Sequence, residues 1–87
     1  MALVGKTVSV NDSTPTLLVD GTEIDGDYVV HVQTAFDTLV GGDDVSTSNG
    51  FGLNTAGDNV YSLQQGEKLY AVATSGSHYI GILLYNQ

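Results

Sequence analysis

The chain has no cysteine, no tryptophan and no arginine, and only one proline among its 87 residues. The absence of cysteine excludes disulfides as a source of stability. No His/Cys cluster with the spacing of a zinc site occurs either, so no metal or other cofactor is predicted. No apolar run approaches the roughly 20 residues of a membrane-spanning helix. Leu3-Val4 is also too short for a signal-peptide core, so we expect synthesis in the cytoplasm.

Positive charge is almost missing. Lys6 and Lys68 stand against ten acidic residues, which gives a formal net charge of −8. Such a chain repels phosphate, so neither nucleic acid nor an anionic membrane is expected as a partner. The acidity favours solubility and discourages association between strand edges. A partner with a basic patch is the alternative interpretation.

A chain of 87 residues corresponds to one domain, here residues 1–87. Domains of this size bury a smaller fraction of the unfolded chain's surface than larger domains do, and they usually need disulfides, a metal or partner chains for stability. Because disulfides are excluded and no metal site is evident, the remaining source of stability is oligomerisation or docking on a larger body.

Glycine, aspartate, asparagine, serine and threonine separate short runs with strand-like alternation, and no useful helical period occurs. This pattern predicts a small antiparallel β-sandwich or compact barrel of about seven or eight short strands, with a jelly-roll-like form among the options. Asn49-Gly50 predicts a tight turn, and Phe51 and Leu53 supply apolar anchors after it. The predicted strands cover residues 6–10, 16–19, 28–34, 36–40, 59–63, 67–74 and 77–85.

The last two runs are joined by Ser75-Gly76, a strong hairpin signal. On the final strand, alternation places His78, Ile80, Ile82 and Leu84 on one face and Tyr79, Gly81, Leu83 and Tyr85 on the other. Both faces are largely apolar, which predicts that both are covered. In so small a domain, a second subunit can supply one of these covers.

Few residues indicate chemistry. The carboxylates at 20–27 and 43–44 fit solvated turns better than a calcium loop, because the EF-hand spacing is absent. A glycosidase acid pair lacks an evident groove. His31 and His78 lie on predicted strands without a G-x-S-x-G nucleophile elbow, so hydrogen-bonded structural roles are favoured over catalysis, and no enzyme is predicted. The five tyrosines fit interfaces and, less well, sugar stacking.

Two segments combine turn and strand motifs in a particular order. Residues 40–53, VGGDDVSTSNGFGL, have a Gly-Gly end of a strand, an Asp-Val-Ser turn and an Asn-Gly followed by an apolar residue. Residues 66–76, GEKLYAVATSG, have a Gly-Glu-x-Leu-Tyr-Ala strand followed by Ser-Gly. With these motifs the chain resembles a module of small structural proteins of tailed bacteriophages over residues 29–85.

The resemblance implies a β-sandwich component of the virion, most readily a capsid decoration (cement) protein bound to the major capsid protein on the outer capsid surface. A trimer would match the local threefold positions of an icosahedral lattice. A component of the tail, spike base or fibre is the alternative, and a carbohydrate- or receptor-binding β module is the alternative from another class.

Residues 1–5 are predicted to form an N-terminal arm that adds a strand to the capsid or to a sister subunit. This arm and one side of the last strand carry more apolar surface than so small a domain can bury in its own core. We therefore expect protein contacts there. The residues predicted to form the interface are Leu3, Val4, Tyr79, Leu83 and Tyr85.

Overall fold

A computed structural model describes residues 3–23, 25–34, 37–53 and 57–86 and shows an all-β chain, with no helix in these ranges. The predictions made for residues 1, 2, 24, 35, 36 and 54–56 fall outside the described residues, and residue 87 also lies outside them. The strands are β1 (Leu3–Asn11), β2 (Thr16–Val19), β3 (Tyr28–Gln33), β4 (Thr38–Gly41), β5 (Phe51–Gly52), β6 (Asn59–Leu63), β7 (Leu69–Ala73) and β8 (Ser77–Asn86).

The strands form two antiparallel four-stranded sheets that pack as a sandwich. Sheet I has the order β1-β8-β3-β6, and sheet II has the order β2-β7-β4-β5. The chain behaves as one long hairpin whose arms pair in nested fashion, β4 with β5, β3 with β6, β2 with β7 and β1 with β8. This nesting of eight strands over two sheets is the jelly-roll arrangement. The predicted β-sandwich is therefore confirmed.

Alternation along the strands builds the core between the sheets. On β3, Tyr28, Val30 and Val32 are fully buried, while Val29 and His31 are only half-buried. The buried residues meet Leu18 and Val19 of β2, Ala71 of β7 and Ile80 of β8 among others. Tyr28 stays satisfied because its hydroxyl donates to the Glu67 carbonyl at 2.6 Å. Its burial raises the pKa of the phenol.

The loops gather at two ends of the sandwich. One end holds the β1–β2, β3–β4, β5–β6 and β7–β8 connections, and the other holds the β2–β3, β4–β5 and β6–β7 connections. At the first end, the Gly76 amide donates to Asp12 Oδ2 at 2.9 Å. At the second, the Gln65 amide donates to Asp27 Oδ1 at 3.2 Å and the Gly66 amide to the Gly21 carbonyl at 3.3 Å.

The predicted terminal hairpin is wrong in its pairing. β7 and β8 do reverse direction at a glycine, and Gly76 has a φ of 69°. However, β7 lies in sheet II between β2 and β4, while β8 lies in sheet I between β1 and β3. The turn signal specifies only the local reversal. Because both edges of each strand are taken by other strands, the connection crosses from one sheet to the other.

Three local predictions are also corrected. Asn49-Gly50 does not form the tight turn, since Ser46 and Asn49 bond each other across Thr47-Ser48, and Gly50 has no positive φ. The predicted strand at 36–40 begins at Thr38. The predicted free arm at 1–5 does not hold for 3–5, because these residues open β1 and pair with Leu83–Tyr85 of β8.

Candidate functional site

The outer face of sheet I carries four of the five residues predicted for an interface. Leu3 pairs with Tyr85 at one end of β1, and Leu83 and Tyr79 follow on the same side of β8. Val4 points the other way, opposite buried Leu84, and packs against the core. The structure therefore brings Leu3, Tyr79, Leu83 and Tyr85 onto one surface and leaves Val4 on the core side.

Only the core-facing side of β8 is covered by the chain itself. On the outer face of sheet I the described part of the chain leaves four large apolar side chains in solvent. We call them the outer-face patch: Leu3 (66% exposed), Val60 (50%), Tyr79 (71%) and Leu83 (39%). Val60 lies on the edge strand β6 and pairs with His31 of β3. It therefore points to the same face as His31 and belongs to the patch. The four side chains share this face with Tyr85, and a face with several exposed apolar side chains is a candidate contact surface.

The centre of this face is polar but internally satisfied. The His31 Nδ1 lies 2.6 Å from Asp58 Oδ2, and its Nε2 lies 2.9 Å from the Tyr85 hydroxyl. The imidazole and phenol rings are 5.5 Å apart and tilted by 33°. Since both ring nitrogens are engaged, neither is available to a substrate unless Tyr85 or Asp58 moves. The arrangement orients side chains and lets the face be covered with little loss of hydrogen bonding.

A shallow hollow lies beside this network. It has a volume of about 270 Å³ and is lined by Gln33, Gly81 and Leu83 together with His31 and Asp58. Gly81 forms its floor because the residue has no side chain between its neighbours Thr7 and Gln33. The hollow gives the outer face a local concavity.

A second apolar surface opens where the two sheets part at their β5–β6 edge. This edge cleft has a volume of about 520 Å³. Its main apolar lining is Val40, Phe51, Val60, Tyr61, Leu63 and Leu69. Phe51 meets Tyr61 edge-on with ring centroids 6.4 Å apart, yet it stays 66% exposed. The sequence predicted Phe51 and Leu53 as apolar anchors. Leu53 alone fulfils that role, packing against the core.

All ten carboxylates lie in loops. The end that carries Gly76 has Asp12, Asp37 and Asp58. The opposite end has the other seven, which are Asp20, Glu23, Asp25, Asp27, Asp43, Asp44 and Glu67. Lys6 reaches this end and contacts both Glu23 oxygens at 2.9 Å. At about one third exposure, such a pair contributes about 0–1 kcal/mol.

The acidic loops are organised by their own hydrogen bonds. The Thr22 backbone amide donates to Asp20 Oδ1 at 3.1 Å, and this bond is the main reason that the pKa of Asp20 is lowered. The Glu23 Oε2 accepts from the Asp20 amide at 2.8 Å. Within the described ranges, no three His, Cys, Asp or Glu side chains are grouped so that they could hold a metal ion.

The second histidine lies inside the sandwich. His78 Nε2 is 2.8 Å from the Thr38 hydroxyl oxygen, which is 3.4 Å from the Thr34 hydroxyl oxygen. Desolvation lowers the pKa of His78, so the neutral form is favoured. The residue is a hydrogen-bonded core histidine remote from the outer face.

Sequence reasoning missed the partners of His31 and the edge cleft. Asp58 and Tyr85 are 27 and 54 residues from His31, and only the pairing of β3 with β6 and β8 unites them. Alternation alone did place Tyr85 on the same face of the last strand as Tyr79 and Leu83, opposite Ile80 and Leu84. No sequence signal indicated that β5 would be two residues long and leave Phe51 in solvent.

Comparisons with known proteins give no relative for this chain: no family model, no curated protein and no solved structure matches it. None of the described residues belongs to a helix long and apolar enough to cross a membrane.

Proposed function

We propose that this chain is a structural virion protein of a tailed phage, a capsid decoration protein that bridges and stabilises major capsid subunits on the outer shell as a homotrimer. The observation that carries the proposal is the outer-face patch on a small domain without disulfides. A protein of this kind needs contact surfaces and a stable scaffold, and no reaction centre.

The resemblance to phage structural proteins supports the same proposal. Its two segments correspond in the fold to β4, the β4–β5 loop and β5, and then to the β6–β7 turn and β7. They therefore build three of the four strands of sheet II. The segments that carry the resemblance form one contiguous part of the sandwich.

Adding the purified chain to decoration-free capsids tests the proposal. We expect it to co-sediment with expanded capsids and to raise their melting temperature, because a ligand that binds only the assembled shell stabilises it. The expected copy number is on the order of hundreds per particle, since a lattice repeats its binding positions. A dozen or fewer copies would instead indicate the tail, spike base or fibre. No association with any particle would refute a virion role.

Carbohydrate binding is the second candidate. The hollow over Gly81 favours it, because Gln33 and Asp58 offer polar groups there and exposed Tyr79 lies on the same face. A glycan array tests this function, and a hit that is lost in Tyr79→Ala and Gln33→Ala would support it over decoration.

A further inference from the structure

Two apolar surfaces lie on adjoining sides of the molecule. The outer-face patch lies on the outer side of sheet I, and the edge cleft opens between the two sheets beside β6. They meet at Val60, which belongs to both. The chain therefore has two different apolar surfaces at an angle to each other, one broad and one recessed.

The distribution of charge indicates how a second copy of the chain can approach these surfaces. The chain carries a net charge of −8, with every carboxylate in the loops. Among the described residues, neither surface has an unpaired charged side chain. Asp58, which borders the outer face, is bonded to His31, and Lys6 beside it is paired with Glu23. A basic partner would be drawn to the acidic ends. Two copies of this chain repel each other there and can approach closely only through their uncharged sides.

The two surfaces favour contact between unlike patches. A twofold dimer through the outer face would use one surface twice and leave Phe51 and the edge cleft in water. A head-to-tail contact covers both surfaces of every copy. Because the surfaces lie on adjoining sides, each copy is turned relative to the last, and such contacts close into a ring when the rotation divides a full turn. The homotrimer of the proposed function requires a third of a turn.

We propose that the outer-face patch of one copy packs against the edge cleft of the next, and that three copies close a ring through this contact. The inference deepens the proposed function, since it assigns the surfaces of the homotrimer. Leu83 lies beside His31 on one surface, and Phe51 lies at the rim of the other. Asp58 and the Tyr85 hydroxyl are already bonded to His31 within each copy.

Three single variants test the contact by native mass spectrometry and light scattering. Leu83→Asp alters the outer-face patch, and Phe51→Asp alters the edge cleft. Leu17→Asp is the matched control, because Leu17 is also 39% exposed but lies on sheet II. We expect three chain masses for the parent and the control, and one chain mass for each of the other two variants. If circular dichroism shows that a variant has not folded, Leu3→Asp replaces Leu83→Asp and Phe51→Asn replaces Phe51→Asp.

Mixing the two variants separates the proposed ring from a twofold dimer. The intact cleft of Leu83→Asp can accept the intact patch of Phe51→Asp, so the mixture should give a one-to-one heterodimer. In a twofold dimer through the outer face, Phe51→Asp alone would still dimerise, and that result would overturn the proposal. A monomeric parent at about 100 μM would also overturn it.

The assembly is measured without capsids, so its failure is distinguishable from failure of the proposed function. Capsid binding by a parent chain that is monomeric would leave the decoration role standing and refute the ring. A trimer that binds no capsid would leave the ring standing and refute the role.

Discussion

Gly21 has no space for a side chain, since a Cβ there would collide with the Glu67 carbonyl oxygen. It lies buried where the β2–β3 loop crosses the β6–β7 turn, and a Cβ there would overlap the backbone of Gly66 and Glu67. The Gly66 amide also donates to the Gly21 carbonyl. The need at this position is close backbone approach and not an unusual φ, because Gly21 is absent from the positive-φ residues.

Gly21→Ala is therefore expected to lower the free energy of unfolding by about 1–3 kcal/mol, since overpacked sites force backbone shifts. Urea denaturation followed by circular dichroism measures the change. Gly42→Ala is the matched control, because a Cβ there meets only the Asp44 carboxylate at 3.6 Å. It should change stability by less than about 0.5 kcal/mol. Equal effects of the two variants would contradict the crowding at Gly21.

His78 should make stability depend on pH. Its pKa is lowered in the folded protein by desolvation, whereas the unfolded chain has the ordinary value of 6.5. Below that value the unfolded state binds more protons, so stability is full above about pH 6.5 and declines as the pH falls. We expect the melting temperature to fall between pH 7.5 and 5.5, and to fall less in His78→Gln. An identical decline in both proteins would show that other groups cause it.

At the scale of the element, β8 explains much of the architecture. It is ten residues long and pairs with β1 on one side and β3 on the other. Its alternate residues are buried or exposed without exception from Ser77 to Leu84. One strand thus supplies both the middle of the core and the middle of the outer face.

Shortening a core-facing side chain of β8 should destabilise the protein strongly. Ile82→Ala is expected to lower the free energy of unfolding by about 2–5 kcal/mol, because it leaves a cavity between the sheets. Leu17→Ala removes an aliphatic side chain that is 39% exposed on β2 and should cost less than about 1 kcal/mol. Chemical denaturation of both variants at equal concentration compares them. A loss below about 0.5 kcal/mol for Ile82→Ala would contradict its burial.

The sequence permitted good prediction of strands and poor prediction of their partners. Alternation is a local property, so the two faces of β8 followed from His78–Tyr85 alone. Pairing is decided by competition among all strands, which is why Ser75-Gly76 indicated the reversal but not the change of sheet. The same limit hid the contacts of His31 and the edge cleft, since both depend on residues brought together by pairing.

At the scale of the whole molecule, negative charge is concentrated unevenly. Seven of the ten carboxylates lie at the end formed by the β2–β3, β4–β5 and β6–β7 loops, and they are Asp20, Glu23, Asp25, Asp27, Asp43, Asp44 and Glu67. The only lysines, Lys6 and Lys68, lie near the same end and offset part of this charge. Self-repulsion therefore opposes the folded state mainly at one pole.

Salt should relieve this repulsion. Raising sodium chloride from about 20 to 300 mM shortens the Debye length and should increase the melting temperature. The increase should be smaller in Asp43→Asn/Asp44→Asn, which lacks two of the repelling charges. Differential scanning calorimetry of the two proteins gives the comparison. A melting temperature that falls with salt would show that attractive pairs such as Lys6–Glu23 dominate instead.

The position of β8 has a consequence for how the molecule is made. Sheet I has no link between β1 and β3 until the ribosome has released residues 77–86, because β8 is the strand that joins them. β1 must therefore wait unpaired until residues 77–86 have been synthesised. Sheet I can be completed only after that point, and a nascent chain halted before residue 77 should remain sensitive to protease.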